Sequence, residues 1–357
     1  AGECSVGQQQ MTEIIRNLML DAKVVIMDEP TAALTERETA KLFEVMHALK
    51  DKGVAIVYIS HRMEEVFTHC DTITVMRDGH SISCRPTRST TMEAVVQDMV
   101  GRAITEYYPG RTTEPGEVVL EVKNLCQPGV FDHVSFNLRK GEILGVAGLM
   151  GAGRTEIMRA LFGIDDCRQG EVYLHGQKIN IKKPEDAIKA GIGFITENRK
   201  TEGLILDFSI LKNIALPSVD TFASKSVIND KKEFNFSNEL SHKLGVKANS
   251  IQLPAGALSG GNQQKVVIAK WIGMHPSIII MDEPTRGIDV GAKRDIYDLM
   301  NELTAQGVAI IMVSSDLPEV IGMSDRILVV HEGKIAGEIP HDQATQENII
   351  TLATGGI

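Results

Sequence analysis

The stretch GLMGAGRT, Gly148 to Thr155, decides the fold. It has the spacing of a phosphate-binding loop, G-x-x-x-x-G-K-[ST], except that Arg154 stands where that pattern has lysine. The preceding segment GEILGVAG (Gly141 to Gly148) is a short apolar run that predicts a buried strand, and RTEIMRALFG after it has helical periodicity. A glycine loop between a strand and a helix start predicts a site where backbone N–H groups and the helix dipole hold an anion.

Within this loop each residue type has a physical reason. Gly148, Gly151 and Gly153 permit backbone conformations and close approaches that a Cβ would block, and Ala152 lies between two of them. Thr155 is placed to ligate Mg²⁺. Taken alone, the loop could also be a glycine-rich turn without a ligand.

An acidic strand end supplies the second part of the pattern. SIIIMDEPT, beginning at Ser277, is an apolar run that predicts a strand ending in Asp282 and Glu283. An aspartate there can hold Mg²⁺, and the adjacent glutamate can polarise an attacking water. The pair alone would more often be a solvated turn, but a phosphate loop followed by this pair is far more specific.

The segment LSGGNQQKVVIAKWI, beginning at Leu258, is the third part. Ser259, Gly260 and Gly261 precede an amphipathic helix, and their N–H groups would form a second anion cradle. On its own, this segment could simply be a helix N-cap.

The chain repeats itself with an offset of 254 residues. VVIMDEPTAALT from Val24 matches IIIMDEPTRGID from Ile278, and the same register aligns SVGQQQ from Ser5 with SGGNQQ from Ser259. We therefore expect two copies of one domain, the second complete and the first represented only by its C-terminal part. The predicted boundaries are 1–103 for the first copy, 104–116 for a linker and 117–357 for the second copy. We expect the chain to be a fragment, truncated at its N-terminus.

Composition limits the alternatives. The formal net charge of −10 argues against nucleic acid as the main partner, and aromatic residues make up only 4% of the chain. The five cysteines are scattered without a C-x-x-C pair, which indicates reduced thiols rather than disulfides or a zinc motif.

Together these motifs resemble the ATP-binding subunits of ABC transporters, over essentially the whole chain. DEPTRGIDVGAK, the arginine in the second-copy loop and the tail DQATQENI are most similar to the ATPases of bacterial monosaccharide importers, ribose importers above all. The resemblance implies an α/β fold, a P-loop NTPase core with a mostly parallel sheet, a β-rich edge and a helical subdomain.

The resemblance also implies roles for individual residues, with ATP and Mg²⁺ as cofactors. Catalytic roles fall to Glu29, His61 and Glu283, and metal ligation to Thr155, Asp282 and Asp28. ATP contacts are implied for the glycine loop (Gly148, Gly151, Ala152, Gly153, Arg154 and Thr155), for the second-copy residues Glu197, Ser259, Gly260, Gly261, Gln263 and Asp289, and for Ser5 and Gly7 of the first copy.

In the family each ATP lies between the phosphate loop of one domain and the Ser-Gly-Gly motif of the other, which makes the two sites unequal here. The site built on the second-copy loop has Arg154 for lysine, Ser315 for the family's histidine, Glu197 for glutamine and Val6 for a glycine. It has no convincing upstream aromatic for adenine, since Phe131 is too close to the following strand. We expect this site to bind ATP and to hydrolyse it poorly.

The family assignment implies partners and a location. We expect membrane-spanning permease subunits, a periplasmic sugar-binding protein in the full complex, a dimeric assembly, no nucleic acid, and a peripheral position on the cytoplasmic face of the plasma membrane. Two alternatives stay open: a soluble tandem ABC ATPase acting on ribosomes or DNA, and a truncated product that binds nucleotide without turnover. Sequence does not identify the transported sugar.

Overall fold

The computed structural model describes residues 12, 16, 22–31, 34, 36–60, 63–77, 79–100, 108–111, 113–166, 169–224, 227–288 and 290–356. Four residues with predicted roles, Ser5, Gly7, His61 and Asp289, lie outside this described part. The chain divides into two compact units, Ala1–Thr105 with Asp289–Gly291, and Glu106–Ile288 with Ala292–Ile357.

The first unit is built from two small strand pairs covered by helices. Its elements are β1 (Val24–Asp28), α1 (Glu36–Asp51), β2 (Ala55–Ile59), α2 (Met63–His69), β3 (Thr72–Arg77), β4 (His80–Pro86) and α3 (Met92–Val100). β1 and β2 are parallel, whereas β3 and β4 are antiparallel. Each pair has its own small apolar core, one around Leu42 and Phe43 of α1 and the other around Val66 and Ile73.

The second unit begins with strands and the glycine-loop helix. Its first elements are β5 (Val118–Gln127), β6 (Phe131–Arg139), β7 (Ile143–Gly148), α4 (Arg154–Phe162), β8 (Gln169–Leu174), β9 (Gln177–Ile179), α5 (Pro184–Lys189) and β10 (Ile192–Ile195). A short helical segment, Arg199–Gly203, follows β10.

The middle of this unit is helical, and strands return towards its end. The elements are α6 (Ile210–Ala215), β11 (Ala223–Ser224), β12 (Val227–Ile228), α7 (Asp230–Lys243), α8 (Gly260–Ile272), β13 (Ile278–Asp282), α9 (Val290–Ala305), β14 (Ala309–Val313), α10 (Leu317–Met323), β15 (Arg326–His331), β16 (Lys334–Pro340) and α11 (Gln346–Ala353). Helices α6, α7 and α8 pack on one another as a helical subdomain.

Two sheets organise the second unit. The main sheet has the order β10-β13-β14-β7-β15-β16, parallel except for the antiparallel edge strand β16. β13 and β14 are buried at every position, as expected for parallel strands covered on both faces. The second sheet, β6-β5-β8-β9, is antiparallel. The predicted α/β fold, with a mostly parallel sheet, a β-rich edge and a helical subdomain, is confirmed.

The internal repeat extends from sequence to backbone. β1, α1, β2, α2, β3 and β4 each begin 254 residues before β13, α9, β14, α10, β15 and β16. The strand register also repeats, because Val24 pairs with Ala55 as Ile278 pairs with Ala309. A shift in strand register recurs as well, between Val75 and Met76 in one copy and between Val329 and Val330 in the other.

Part of the predicted linker is packed on the second unit. The Arg111 guanidinium donates to both oxygens of Asp325, at 3.0 and 2.8 Å, and to the Thr304 hydroxyl and the Gly141 carbonyl. Both side chains of the Arg111–Asp325 pair are largely buried. A buried charged pair persists only with such additional hydrogen bonds, so Arg111 fixes the start of the second unit to its sheet.

Candidate nucleotide-binding site

The glycine loop lies where the sequence places it, between β7 and α4. Gly148, Gly151 and Gly153 all have positive φ. A Cβ on Gly148 would stand 2.4 Å from the Val330 carbonyl oxygen, so only glycine fits there. The amides of the first turn of α4 have no intrahelical partner, and no side chain caps this turn. The loop therefore offers a ring of N–H donors at a helix start, which is suited to phosphate.

The sheet brings the other predicted groups to this loop. β13 pairs with β14, and β14 pairs with β7, so that Asp282, Val313 and Val146 lie in one row. The carboxyl ends of the three parallel strands thus meet at one edge, where ligands bind in open α/β sheets.

Arg154, the residue that replaces the loop lysine, is half-buried and points to the end of β14. Its Nη1 donates to the Ser314 carbonyl oxygen at 2.8 Å. Burial raises the pKa of both Asp282 and Glu283, and the positive charge of Arg154 partly offsets that rise. Arg154 therefore provides charge to the acidic strand end while one arm of its guanidinium is bonded to the chain itself.

Asp282 is 1% exposed, at the end of β13. Burial raises its pKa to about 6, whereas the facing Thr155 hydroxyl and the Arg154 charge lower it. Within the described part of the chain, neither carboxylate oxygen has a hydrogen-bond partner of normal geometry, so Thr155 faces the carboxylate without completing such a bond. Buried carboxylate oxygens normally have partners, and an orphaned pair beside a threonine hydroxyl is an oxygen-rich site that fits a divalent cation.

Glu283 follows in the left-handed backbone conformation, with φ of 49°. Its N–H donates to the Val313 carbonyl at 2.8 Å, and its Oε2 accepts from the Ser315 hydroxyl at 3.1 Å. Burial raises its pKa to about 7. A carboxylate near neutral pKa is suited to general-base work, but its partner here is a serine hydroxyl rather than an imidazole.

A buried network lies beneath this site. Glu319 accepts from the Thr285 hydroxyl at 2.6 Å and from the Ser314 hydroxyl at 2.5 Å. The first unit has the same arrangement, with Glu65 accepting from Thr31 and Ser60. Ser314 therefore contributes its hydroxyl to this network and its carbonyl to Arg154.

Glu197, in the loop after β10, pairs its carboxylate with the Arg286 guanidinium, and both side chains are exposed. Close by, Arg199 donates to the carbonyl oxygens of Arg286, at 2.9 Å, and Gly287, at 3.2 Å. The loop after β10 is thus bonded to the turn after β13.

The Ser-Gly-Gly segment begins α8 as predicted. Ser259 is the N-cap residue, but its hydroxyl accepts from the Asn262 side chain at 3.0 Å instead of capping a backbone amide. A Cβ on Gly260 would stand 2.7 Å from the Arg199 guanidinium and 3.3 Å from the Gly287 carbonyl oxygen, so a larger residue would require Arg199 to move. Gly261 lies in the first turn of α8. Gln263 is buried and its Nε2 donates to the Ala255 carbonyl, so it supports the segment from within.

The first unit reproduces the backbone of the acidic strand end. Asp28 ends β1 and is exposed, and Glu29 has φ of 46° with its N–H donating to the Ile59 carbonyl at 2.9 Å. The strand-end position of Asp28 and the backbone of Glu29 therefore repeat those of Asp282 and Glu283, although Asp282 is buried and Asp28 is not.

Sequence reasoning did not identify Ser314, Glu319, Arg286 or Arg199 as parts of this site. The repeat held one usable signal, since Thr31, Ser60 and Glu65 recur as Thr285, Ser314 and Glu319 at the common offset. Phe131, which the sequence analysis discounted as an adenine partner, is 3% exposed and belongs to the core.

Comparison with protein families and solved structures gives a consistent result. The family model described as ABC transporter matches residues 131–286. Among solved structures, the ADP conformation of MJ1267, an ATP-binding cassette of an ABC transporter, aligns with a TM-score of 0.57 at 22% identity, covering 67% of this chain and 99% of that one. The dimeric post-hydrolysis MJ0796 cassette, bound to ADP and Pi, aligns with a TM-score of 0.54 at 23% identity, covering 62% and 98%. These likenesses establish the fold.

Curated relatives are much closer in sequence. The ribose import ATP-binding proteins RbsA of Bacillus licheniformis and Bacillus subtilis are each 62% identical over 356 residues, which is all of this chain and 72% of each relative. The RbsA protein of Oceanobacillus iheyensis is 61% identical over the same span. The sequence resemblance is thereby confirmed, and the chain belongs to the family of ATP-binding subunits of ABC transporters.

Proposed function

We propose that this chain is an ATP-binding subunit that energises ribose import through an ABC transporter. The observation that carries the proposal is the 62% identity to two ribose import ATP-binding proteins across the whole chain. It is supported by a glycine cradle at a helix start, facing a buried Asp282 without hydrogen-bond partners of normal geometry. A tandem ATPase acting on ribosomes or DNA is disfavoured by those relatives and by the net charge of −10.

Within the second unit we assign ATP to the glycine loop and Mg²⁺ to Thr155 and Asp282. The backbone amides of Gly151, Gly153 and the first turn of α4 would hold the phosphates. The cation would neutralise phosphate charge, and it fits here because the Asp282 oxygens are otherwise buried without normal partners. Glu283 would orient or polarise a water molecule.

This site should bind nucleotide better than it hydrolyses it. Arg154 is bonded to the Ser314 carbonyl, so one arm of the guanidinium is already engaged. Ser315, which takes the place of the family's histidine, donates to Glu283 but has no imidazole to contact a γ-phosphate. Glu197 is held by Arg286. The roles of Glu29, His61, Ser5, Gly7, Asp289 and Asp28 in a second, competent site remain proposals from family resemblance.

For the assembly, we propose a peripheral position on the cytoplasmic face of the membrane, on permease subunits that act with a periplasmic sugar-binding protein. Among the described residues, no helix is both long and apolar enough to cross a bilayer. Subunits of this family work with membrane permeases and dimerise, and the MJ0796 cassette is itself a dimer in its post-hydrolysis state.

The biochemical part is tested with the purified chain. Because the 357 residues hold one glycine loop, with Arg154 in its lysine position, a fluorescent ATP analogue should bind with Mg²⁺ while turnover stays near background. Turnover near the ~10 s⁻¹ that is typical of enzymes would contradict a weakly hydrolysing site. Failure to bind the analogue would contradict the assignment of ATP to the glycine loop.

The sugar is tested in cells. A protein extended from this chain to the full length of its relatives is expressed in Bacillus subtilis lacking RbsA. Growth on ribose should return, while uptake of galactose, xylose and arabinose should not change. A variant with Glu29→Gln, expressed at the same level, should fail to restore growth, which shows that rescue depends on the predicted catalytic carboxylate. Restored uptake of another sugar without ribose would contradict the proposal.

A further inference from the structure

A cluster of three potential metal ligands lies outside the nucleotide site, on the hairpin of β5 and β6. The ligand atoms of Cys126, Asp132 and His133 all lie within 4.8 Å of one another. The Cys126 Sγ is 3.6 Å from Asp132 Oδ1, and that oxygen is 2.6 Å from His133 Nδ1. Cys126 is buried, whereas the other two side chains are more than half exposed.

Irregular backbone brings these side chains together. In a regular strand Asp132 and His133 would point to opposite faces. His133 instead has φ of 50°, and the pairing of β5 with β6 shifts register on both sides of Leu125. Such bulges re-aim side chains, and here a ligand atom of each neighbour lies within 4.8 Å of the same thiol.

The Cys126 sulfur has polar contacts in two directions. It accepts from the backbone N–H of His133 at 3.1 Å, and its thiol donates to the Asn124 carbonyl oxygen at 3.4 Å and to Asp132 Oδ1 at 3.6 Å. Metal binding replaces the thiol proton, so a cation between Cys126 and Asp132 would take the place of the long thiol–carboxylate contact.

The distances are close to those of a tetrahedral zinc site. With Zn–S near 2.3 Å and Zn–O or Zn–N near 2.0 Å, tetrahedral angles place sulfur about 3.5 Å from oxygen, and nitrogen about 3.3 Å from oxygen. The sulfur to oxygen distance already fits. Opening the Asp132–His133 contact requires about 0.7 Å, which two exposed side chains can supply by rotation.

A cavity of about 320 Å³ adjoins the cluster and leaves room for a fourth ligand. It is lined by Cys126 and His133 together with Lys123, Asn124, Gln169, Gly170 and Glu171. The positive charges of two lysines near the cluster disfavour a bound cation. The Lys334 ammonium is 4.0 Å from Asp132, and Lys123 is partly neutralised by Glu121 at 3.0 Å. Both are exposed and can move away.

We propose that Cys126, Asp132 and His133 form a Zn²⁺ site with one position open to water. One sulfur, one nitrogen and one carboxylate oxygen are the donor set that Zn²⁺ accepts, and three protein ligands leave a fourth position free. Two backbone hydrogen bonds also connect this site to the nucleotide loop. The Asp132 N–H donates to the Gly333 carbonyl, and the Gly333 N–H donates to the Ala152 carbonyl.

The test is a titration of the reduced chain with Co²⁺, a spectroscopic substitute for Zn²⁺. A tetrahedral thiolate site gives visible d–d bands and a near-ultraviolet sulfur-to-cobalt charge-transfer band, which Zn²⁺ then displaces. We expect one equivalent per chain. The charge-transfer band should vanish in Cys126→Ser and persist in Cys84→Ser, the matched control at an exposed thiol of the first unit.

Two further variants keep the test decisive if Cys126→Ser fails to fold. Asp132→Asn and His133→Gln change exposed side chains, and each should weaken metal binding at least ~10-fold, the lower end seen even for outer-shell changes. A charge-transfer band that persists in Cys126→Ser, no band in the unaltered chain with Co²⁺ in excess, or unchanged affinity in both exposed-site variants would each overturn the proposal.

Discussion

The Arg154 side chain reaches across the glycine loop and donates from Nη1 to the Ser314 carbonyl oxygen at 2.8 Å. Ser314 is the residue after β14, and its hydroxyl is held by the buried Glu319. The guanidinium therefore ties the start of α4 to a rigid point at the end of a neighbouring strand. A phosphate that recruits this guanidinium must either share it with Ser314 or displace that bond.

The close approach of Gly148 to β15 makes a simple test of the loop. A Gly148→Ala side chain would meet the Val330 oxygen at 2.4 Å, so the backbone must shift. We expect nucleotide binding to be lost and stability to fall by about 1–3 kcal/mol, as for overpacked sites. Gly151→Ala is the control, because it shares a positive φ but has nothing within 4 Å. Denaturant unfolding and analogue binding should separate the two variants; equal effects would refute the steric argument.

The raised pKa of Glu283 predicts a pH effect on stability. Its pKa is about 7 in the folded chain against an ordinary value of 4.5, so the folded state binds more protons between these pH values. Stability should therefore fall as pH rises from about 4.5 to about 7 and then level off. Asp282, with a pKa of about 6, acts in the same direction.

The measurement is the free energy of unfolding without nucleotide, from pH 4.5 to pH 8. Glu283→Gln should be less pH-dependent than the unaltered chain and more stable than it at pH 8. The exposed Glu302→Gln, on α9, should keep the original pH profile. An unaltered slope in Glu283→Gln would show that this carboxyl is charged throughout the range.

Much of this site was predictable from sequence because its parts are local or repeated. The glycine loop, the strand ending at Asp282 and the helix beginning at Gly260 each have a pattern within a dozen residues. The role of Arg111 had no local sequence pattern. Its partner Asp325 lies 214 positions away, and the sequence around Arg111 has the composition of a linker. The proximity of Cys126 and His133 could not be predicted from the sequence either, because it depends on a break in the register between β5 and β6.

The two acidic strand ends should contribute unequally to turnover. In a protein extended to the full length of its relatives, Glu29→Gln should reduce ATP hydrolysis by ~10²–10⁴-fold, the usual contribution of a general base. Glu283→Gln should reduce it much less, since Glu283 has a serine rather than a histidine partner. Steady-state hydrolysis of both variants and of the double variant is the measurement. Equal losses from the single changes would contradict unequal sites.

The first unit should be less protected from solvent than the second. Its strands expose apolar side chains whose repeat counterparts are buried. Val24, Ile26, Val57 and Ile59 are 46–69% exposed, whereas Ile278, Ile280, Ile311 and Val313 are at most 1% exposed. Contiguous exposed apolar surface is a liability for aggregation. Amide hydrogen exchange should be faster in β1 and β2 than in β13 and β14; equal protection would contradict this expectation.

Arg154→Lys tests whether arginine is the only fault of the second-unit site. We expect ATP affinity to change by less than about tenfold, because the loop amides, the helix start and the Thr155–Asp282 pair remain. Turnover should stay near background, since Ser315 still replaces the histidine and Glu197 stays paired with Arg286. Groups that act as a unit are strongly non-additive, so repairing one restores little.

The measurement is nucleotide affinity and turnover in a full-length protein carrying Glu29→Gln, which silences the other site. Arg159→Lys, on the same helix and paired with Asp165, controls for a generic effect of the exchange. The Lys ammonium is a compact point charge that can leave the Ser314 carbonyl oxygen for a phosphate. The planar guanidinium of Arg has several N–H donors and can bond to the carbonyl oxygen and to a phosphate at the same time. A gain in turnover of ~10²-fold or more from Arg154→Lys alone would therefore show that the bond to Ser314 is what disables the site, and that Ser315 and Glu197 are sufficient for hydrolysis.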